Sequence, residues 1–272
     1  MTSDRASRSP AVSRAVKILL ALAEDPQHPV RPSELSRRVN VPKATVLNLC
    51  AALTDAQLLR QDPRGYMLGR RLAELGKAYL ASVGEVEEFY LVCREHLGSV
   101  RQTAQLAVLG DGMNVVYLAR YDGTDPLHLG LVSEIGRSVP AQCTAAGKAL
   151  LAALDPGELA ERVATGPLQA LTEHSITDVG QLDKELARIR ERGYAMEREE
   201  VVPGLRCFGT HLDTPHREDG LIAVSFTFRT AGFADADSER AASDLREFAE
   251  TLGVRIGASR STDTSSAGEQ QS

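Results

Sequence analysis

No segment of this 272-residue chain approaches the ~20 consecutive apolar residues that a bilayer-spanning helix needs. The first ten residues, MTSDRASRSP, lack the apolar centre of a secretory signal. Both absences point to a cytoplasmic protein with no membrane partner. Cysteine is sparse: Cys50, Cys93, Cys143 and Cys207 stand alone in apolar surroundings without CxxC spacing. In a reducing compartment such residues are expected as buried thiols. A zinc site needs clustered ligands, and none is visible, so no metal or other cofactor is expected. Catalytic signatures are missing too, with no GxSxG and no HExxH. Gly147-Lys148 is followed by Ala149 where a phosphate-binding loop carries Ser or Thr, and no glycine precedes it at the right spacing. Cys207 and His211 share a strand face, but nothing nearby in sequence supplies an oxyanion hole or an orienting acid. The expectation is a protein that is not an enzyme.

What is present is a charge asymmetry. The net charge of −6 hides a basic head, with 13 Lys/Arg against 7 Asp/Glu in residues 1–80, and an acidic remainder with 18 against 30. Opposite signs in two parts of one chain point to different partners. A basic head suits a phosphate backbone, because displaced counterions favour binding. A merely solvated basic surface would look the same by charge. The length allows two domains.

Residues 1–10 read as a disordered arm. Apolar spacing predicts a helix over Ser13–Glu24, capped by Ser13, with Val16, Leu19, Leu20 and Ala23 inward. Pro32–Val39 forms a second short helix, and Asn40-Val41-Pro42 a tight turn. Lys43–Leu53 forms a third helix, with Val46, Leu49 and Leu53 inward and Pro42 in its first turn. Two short apolar runs around Asp62-Pro63-Arg64-Gly65 make a β-hairpin. Three helices with a tight turn before the third, then a hairpin, are a winged helix-turn-helix, here 11–69. A linker helix follows at 70–84. Residues 85–256 mix strands and helices in an α+β domain with a mainly antiparallel sheet. Its expected strands are Thr103–Leu109, Val115–Tyr121, Leu127–Val132, Tyr194–Glu199, Leu205–Leu212 and Leu221–Phe228. Its expected helices are Val86–Val100, Thr144–Leu154, Pro156–Val163, Val179–Arg192 and Asp237–Leu252. The low-complexity stretch 257–272 is expected to be a disordered tail.

The third helix is the candidate reader of double-stranded DNA. Its inward stripe leaves Lys43, Ala44, Thr45, Leu47, Asn48 and Ala51 outward. Asn48 can pair with adenine in the major groove, and the methyl groups of Leu47 or Thr45 can pack on thymine. Lys43 and Thr45 can also hold phosphate. Arg37 and Arg38 on the second helix, with Arg60 and Arg64 on the wing, flank this helix as backbone clamps. A three-helix unit that only docks protein remains the competing reading.

The ordered segments Ser13–Leu19, Glu34–Arg38, Val41–Val46 and Arg64–Gly69 resemble the DNA-binding domain of the IclR family of bacterial transcription regulators. Val115–Leu118, Gly136–Pro140, Thr144–Leu151, Ile176-Thr177, Arg192–Ala195 and Pro203–Cys207 resemble its effector domain. The resemblance spans about 11–250. It implies a GAF-like effector-binding domain, regulation by a small metabolite (an organic acid or amino-acid-related compound), repression more often than activation, and homodimers or homotetramers on palindromic operators. It places the effector cavity over the sheet, near the helix opened by Thr144. The lining carried over is Thr144, Ala145, Ala146, Glu197, Leu205 and Cys207, with apolar walls from Leu129, Leu131 and Val139. Read bottom-up, the small residues Ala145 and Ala146 let a ligand carboxylate approach the N–H groups of a helix start, or simply pack a helix. Cys207 alternates with Leu205 and reads equally as core. The chain departs from the family where Gln142-Cys143 replaces a common His, Glu197 a common Asp, Ala44 a common Ser and Leu47-Asn48 a common His-Arg pair.

Overall fold

Pro10, Pro32 and Pro156 each open a helix, where a missing N–H has no partner to lose. The computed structural model describes residues 9–96, 102–124, 134–212, 220–234 and 236–268. The chain divides into two units, Met1–Ser82 and Val83–Ser272.

In the first unit, α1 spans Pro10–Ala23, α2 Pro32–Val39 and α3 Lys43–Asp55. A two-stranded wing follows, β1 (Leu59–Asp62) and β2 (Gly65–Leu68), and then α4 (Arg71–Ser82). The first helix starts earlier than its expected cap: Ser9 is the cap residue, and its carbonyl accepts the Ser13 N–H at 3.1 Å. Its buried face also differs. Ile18, Ala21 and Leu22 are buried, whereas Val16 and Leu20 are 46% and 60% exposed. Apolar residues surround much of α1, so periodicity alone could not choose the face; contact with α2 and α3 does. Asn40 ends α2 in the left-handed conformation (φ 51°), and the Ser36 hydroxyl donates to the Val41 carbonyl at 2.6 Å. That short turn packs Leu35, Val46 and Cys50 together with Ile18 and Leu22 in one core.

The second unit opens with α5 (Gly84–His96) and the hairpin β3 (Thr103–Leu109) and β4 (Asn114–Asp122). After β5 (Ser138–Pro140) a 3-10 turn, Ala141–Cys143, leads into α6 (Ala145–Ala153). Then come α7 (Pro156–Val163), α8 (Val179–Arg192), β6 (Ala195–Arg198), β7 (Leu205–His211), β8 (Ile222–Arg229) and α9 (Ala236–Gly268). The six strands form one antiparallel sheet in the order β5-β4-β3-β8-β7-β6. The fold is α+β, as its sequence pattern predicts. Gly193, at φ +80°, ends α8 at the expected place. The expected strand Leu127–Val132 lies outside the described residues, and β5 was not foreseen. The last helix continues to Gly268, into the stretch whose composition predicts a disordered tail; no proline interrupts it, and isolated glycines only weaken a helix.

Strand alternation sorts the sheet into two faces. Phe226 turns to one side, where its ring meets Phe248 of α9, which in turn meets Phe89 of α5. Ala107, Val115, Tyr117 and Ala223 turn to the other side and join the core formed with α6 and α8. The start of α6 lies directly on β7 because position 209 is glycine: a Cβ there would stand 2.5 Å from the Ala145 carbonyl carbon. Gly209→Ala is therefore expected to lower the stability of this unit by about 1–3 kcal/mol, the usual cost of overpacking. Urea denaturation measures it, and an unchanged midpoint would contradict the close approach.

Candidate functional site

In the first unit, α3 turns one face to solvent. Along α3, Lys43, Ala44, Leu47, Asn48 and Ala51 are exposed, and Thr45 is half-buried. The buried stripe opposite is Val46 and Cys50, with Leu49 and Leu53 packed at its edge. Cys50 at i+4 from Val46 takes the central place that spacing had assigned to Leu49. An open groove of about 760 Å³ joins this helix to the wing. Lys43, Leu47 and Arg64 line it, together with Arg31 and Ser33 at the start of α2, which the sequence reading missed. Their signal was positional: Arg31-Pro32-Ser33 opens the helix that precedes the reader.

The four expected clamps differ in freedom. Arg37 and Arg60 are exposed. Arg38 instead bonds Glu34 through Nε at 3.0 Å and reaches the Ala21 carbonyl at 3.5 Å, so its guanidinium ties α2 to α1. Arg64 sits at the wing tip, where its N–H and its guanidinium both donate to Asp62. That backbone N–H, more than the guanidinium, holds the Asp62 carboxyl below its ordinary value.

In the second unit a cavity of about 420 Å³, its mouth included, lies between the sheet and the start of α6. Thr144, Ala145, Glu197, Leu205 and Cys207 are on its wall, as the sequence reading placed them. Ala146 and Val139 are not; both are buried in the core between sheet and helices. Ala146 turns away from the cavity because successive helical residues point about 100° apart, and Val139 packs with Ala107 and Val115. Leu129 and Leu131 lie outside the described residues. The remaining wall is Gln105, Tyr117, Ser225 and Thr227 from β3, β4 and β8, with Val201 and Val202 from the turn between β6 and β7.

The sheet register explains why polar side chains meet here. Glu197 pairs with Cys207, and Cys207 with Thr227, across adjacent strands. The Cys207 sulfur lies 3.4 Å from the Thr227 hydroxyl, which donates to Gln105 Oε1 at 3.3 Å. Above them the Thr144 hydroxyl caps α6 by accepting the Gly147 N–H at 2.9 Å. Glu197 is 1% exposed. Its Oε1 accepts the N–H groups of Glu200 at 2.6 Å and Val201 at 3.2 Å. Its Oε2 and the Gln105 Nε2 have no hydrogen-bond partner among the described residues. Burial pushes the Glu197 carboxyl above its ordinary value, against the hydrogen bonds it accepts. Burial and then the neighbouring Glu197 keep the Cys207 thiol protonated. A protonated thiol is a poor nucleophile. His211, four strand residues away, stands roughly 13 Å from it along the strand, too far to act as its base.

A second buried carboxylate, Glu200, accepts from Lys148 Nζ at 2.6 Å. Lys148 is on α6, and Glu200 is on the turn whose Val201 and Val202 close the cavity. The Ser175 hydroxyl holds the Glu200 carbonyl at 2.7 Å, and Thr172 holds that of Glu199. Glu199 itself sits at φ 60°, a left-handed position that a non-glycine residue adopts only at a cost. Burial raises the Glu200 carboxyl, and Lys148 opposes that rise.

Residues 11–63 match the IclR helix-turn-helix domain, and residues 77–254 match the bacterial transcriptional regulator IclR C-terminal domain. The HTH-type transcriptional regulator Rv1719 of Mycobacterium tuberculosis is 34% identical over 233 residues, covering 85% of this chain and 86% of that protein. The HTH-type transcriptional regulator KdgR of Escherichia coli is 29% identical over 250 residues, 91% of this chain and 92% of that one. The crystal structure of the Thermotoga maritima IclR shares 26% identity at a TM-score of 0.63, covering 90% of this chain and 98% of that one. The chain belongs to the IclR family of bacterial transcriptional regulators, with a helix-turn-helix DNA-binding domain and a C-terminal effector domain. Among the described residues, no helix is long and apolar enough to cross a membrane, and no group of His, Cys, Asp and Glu is arranged to hold a metal ion.

Lys148→Met is expected to destabilise the second unit by about 3–5 kcal/mol, because it strands a buried carboxylate. Lys148→Met combined with Glu200→Leu is expected to recover most of that loss. A double-mutant cycle by urea denaturation measures both, and a double variant as unstable as the single one would contradict the pairing.

Proposed function

We propose that this protein is a cytoplasmic repressor that reads a palindromic operator with α3 and releases or holds it according to a small metabolite in the cavity. The observation that carries the DNA half is the exposed row Lys43, Leu47 and Asn48 beside a wing with Arg60 and Arg64, in a unit of net positive charge. Positive charge supplies sequence-independent hold, and Asn48 and Leu47 supply base reading. Repression is supported by likeness to the Transcriptional repressor IclR of Escherichia coli, 26% identical over 220 residues.

A palindrome needs two heads, so the working form is a homodimer or a pair of dimers. The exposed apolar side chains Val12, Val16 and Leu20 on α1, with Leu75 and Tyr79 on α4, support burial against a second copy. The sensor half is supported by a cavity whose wall keeps two buried polar atoms without protein partners. Such atoms are costly unless something fills them.

Gel shifts against the DNA upstream of the protein's own coding region test the reading, with a shift at moderate salt expected. Asn48→Ala is expected to lose about 1–3 kcal/mol of operator preference while keeping salt-sensitive binding. Arg37→Ala is expected to weaken all sequences alike and lower the salt slope by about one. Arg38→Ala should leave that slope unchanged, since its guanidinium already serves Glu34. If Asn48→Ala ranks altered operators as the parent does, base reading by Asn48 is wrong; if the parent shifts no DNA, the regulator reading fails.

A further inference from the structure

The cavity's unsatisfied atoms stand at opposite ends of its floor. Glu197 Oε2 is at the β6 end and Gln105 Nε2 at the β3 end, with β7 and β8 between them. Strands lie about 4.8 Å apart, so three steps separate the two backbones by roughly 15 Å. The Cys207 and Thr227 side chains stand between them on the floor, so a ligand that reaches both atoms lies over that row, beneath the roof. Between the ends the wall is apolar on the roof, from Val201, Val202 and Leu205.

The ends are also unlike in character. Glu197 Oε1 is committed to the roof through two N–H groups, and the weak thiol donor of Cys207 is beside the carboxyl. No described lining residue is cationic, and the buried Lys148 is committed to Glu200. An anionic ligand would therefore bring a second negative charge beside Glu197 with only the partial positive charge of the α6 N-terminus at Thr144 and Ala145 to offset it among the described lining residues, which is costly. A hydroxyl both donates and accepts, so it satisfies Glu197 Oε2 in either protonation state. At the far end the Gln105 amide calls for an acceptor.

Resting on the sensor reading above, we propose that the ligand is an uncharged, largely apolar molecule with a hydroxyl toward Glu197 and a carbonyl-type oxygen toward Gln105, and not a carboxylate. The chain differs here from the organic-acid expectation raised by its family.

Calorimetric titration of the full-length protein tests this with three probes of matched size: 4-hydroxybenzamide, 4-hydroxybenzoate and benzamide. The uncharged hydroxy-amide is expected to bind at least about tenfold more tightly than either of the others. Glu197→Gln keeps the side-chain shape and removes the charge, so it should shrink the preference over 4-hydroxybenzoate to less than about threefold. Gln105→Leu should weaken 4-hydroxybenzamide by about tenfold and leave the fold intact, since Leu is at home at a buried position. If 4-hydroxybenzoate binds as tightly as the amide, or if Glu197→Gln leaves the preference intact, the ligand class is overturned and the sensor reading stands. If no probe binds the parent, the ligand class is overturned as well.

Discussion

A lysine and a glutamate 52 positions apart in sequence meet inside the second unit, at 2.6 Å and almost wholly out of water. Much of the cavity depends on that pair. Lys148 extends from α6, whose start forms one side of the site, and Glu200 belongs to the turn that closes it. A buried pair of this kind adds little net stability over an apolar substitute. What it does is hold α6 to the turn between β6 and β7, which the Thr172 and Ser175 hydroxyls also hold. Glu197 reinforces the same turn from below, with one carboxylate oxygen holding two of its N–H groups. The cost of burying two carboxylates is thereby spread over one lysine and a set of backbone donors.

The sheet supplies the rest of the site by alternation. Side chains on the helix-facing side run from apolar near Ala107 and Ala223 to polar near Gln105, Ser225 and Thr227. The polar end would be a defect in a plain core. Here it is a hydrogen-bonded row, Cys207 to Thr227 to Gln105, that finishes on unfilled atoms at either end. Gly209 lets the capped start of α6 sit on β7 next to this row. The first unit is built more simply: one core of Ile18, Leu35, Val46 and Cys50 holds α3 with its other face in solvent.

Local signals carried far in the sequence. Proline marks the starts of α2 and α7 at Pro32 and Pro156, and glycine marks the end of α8 at Gly193. Thr144, Ala145, Glu197, Leu205 and Cys207 were placed at the cavity because the family motifs mark them, and the structure brings all five together there. Gln105, Tyr117, Ser225 and Thr227 were not legible. Each is an ordinary polar or aromatic strand residue, and only the long-range register of β3, β4 and β8 brings it to the site. The inward face of α1 failed for a related reason: Val16 and Leu20 are as apolar as Ile18 and Leu22, and only packing separates them. Val139 and Ala146 neighbour the site in sequence yet turn into the core.

The central claim is that Glu197 serves two masters, with one oxygen clamping the roof and the other facing the cavity. Amide hydrogen exchange of the full-length protein, resolved at single residues, tests it most directly. Slow exchange is expected at Glu200 and Val201 in the parent, lost at both positions in Glu197→Ala. Free exchange at these two amides in the parent, or unchanged protection in the variant, would contradict it.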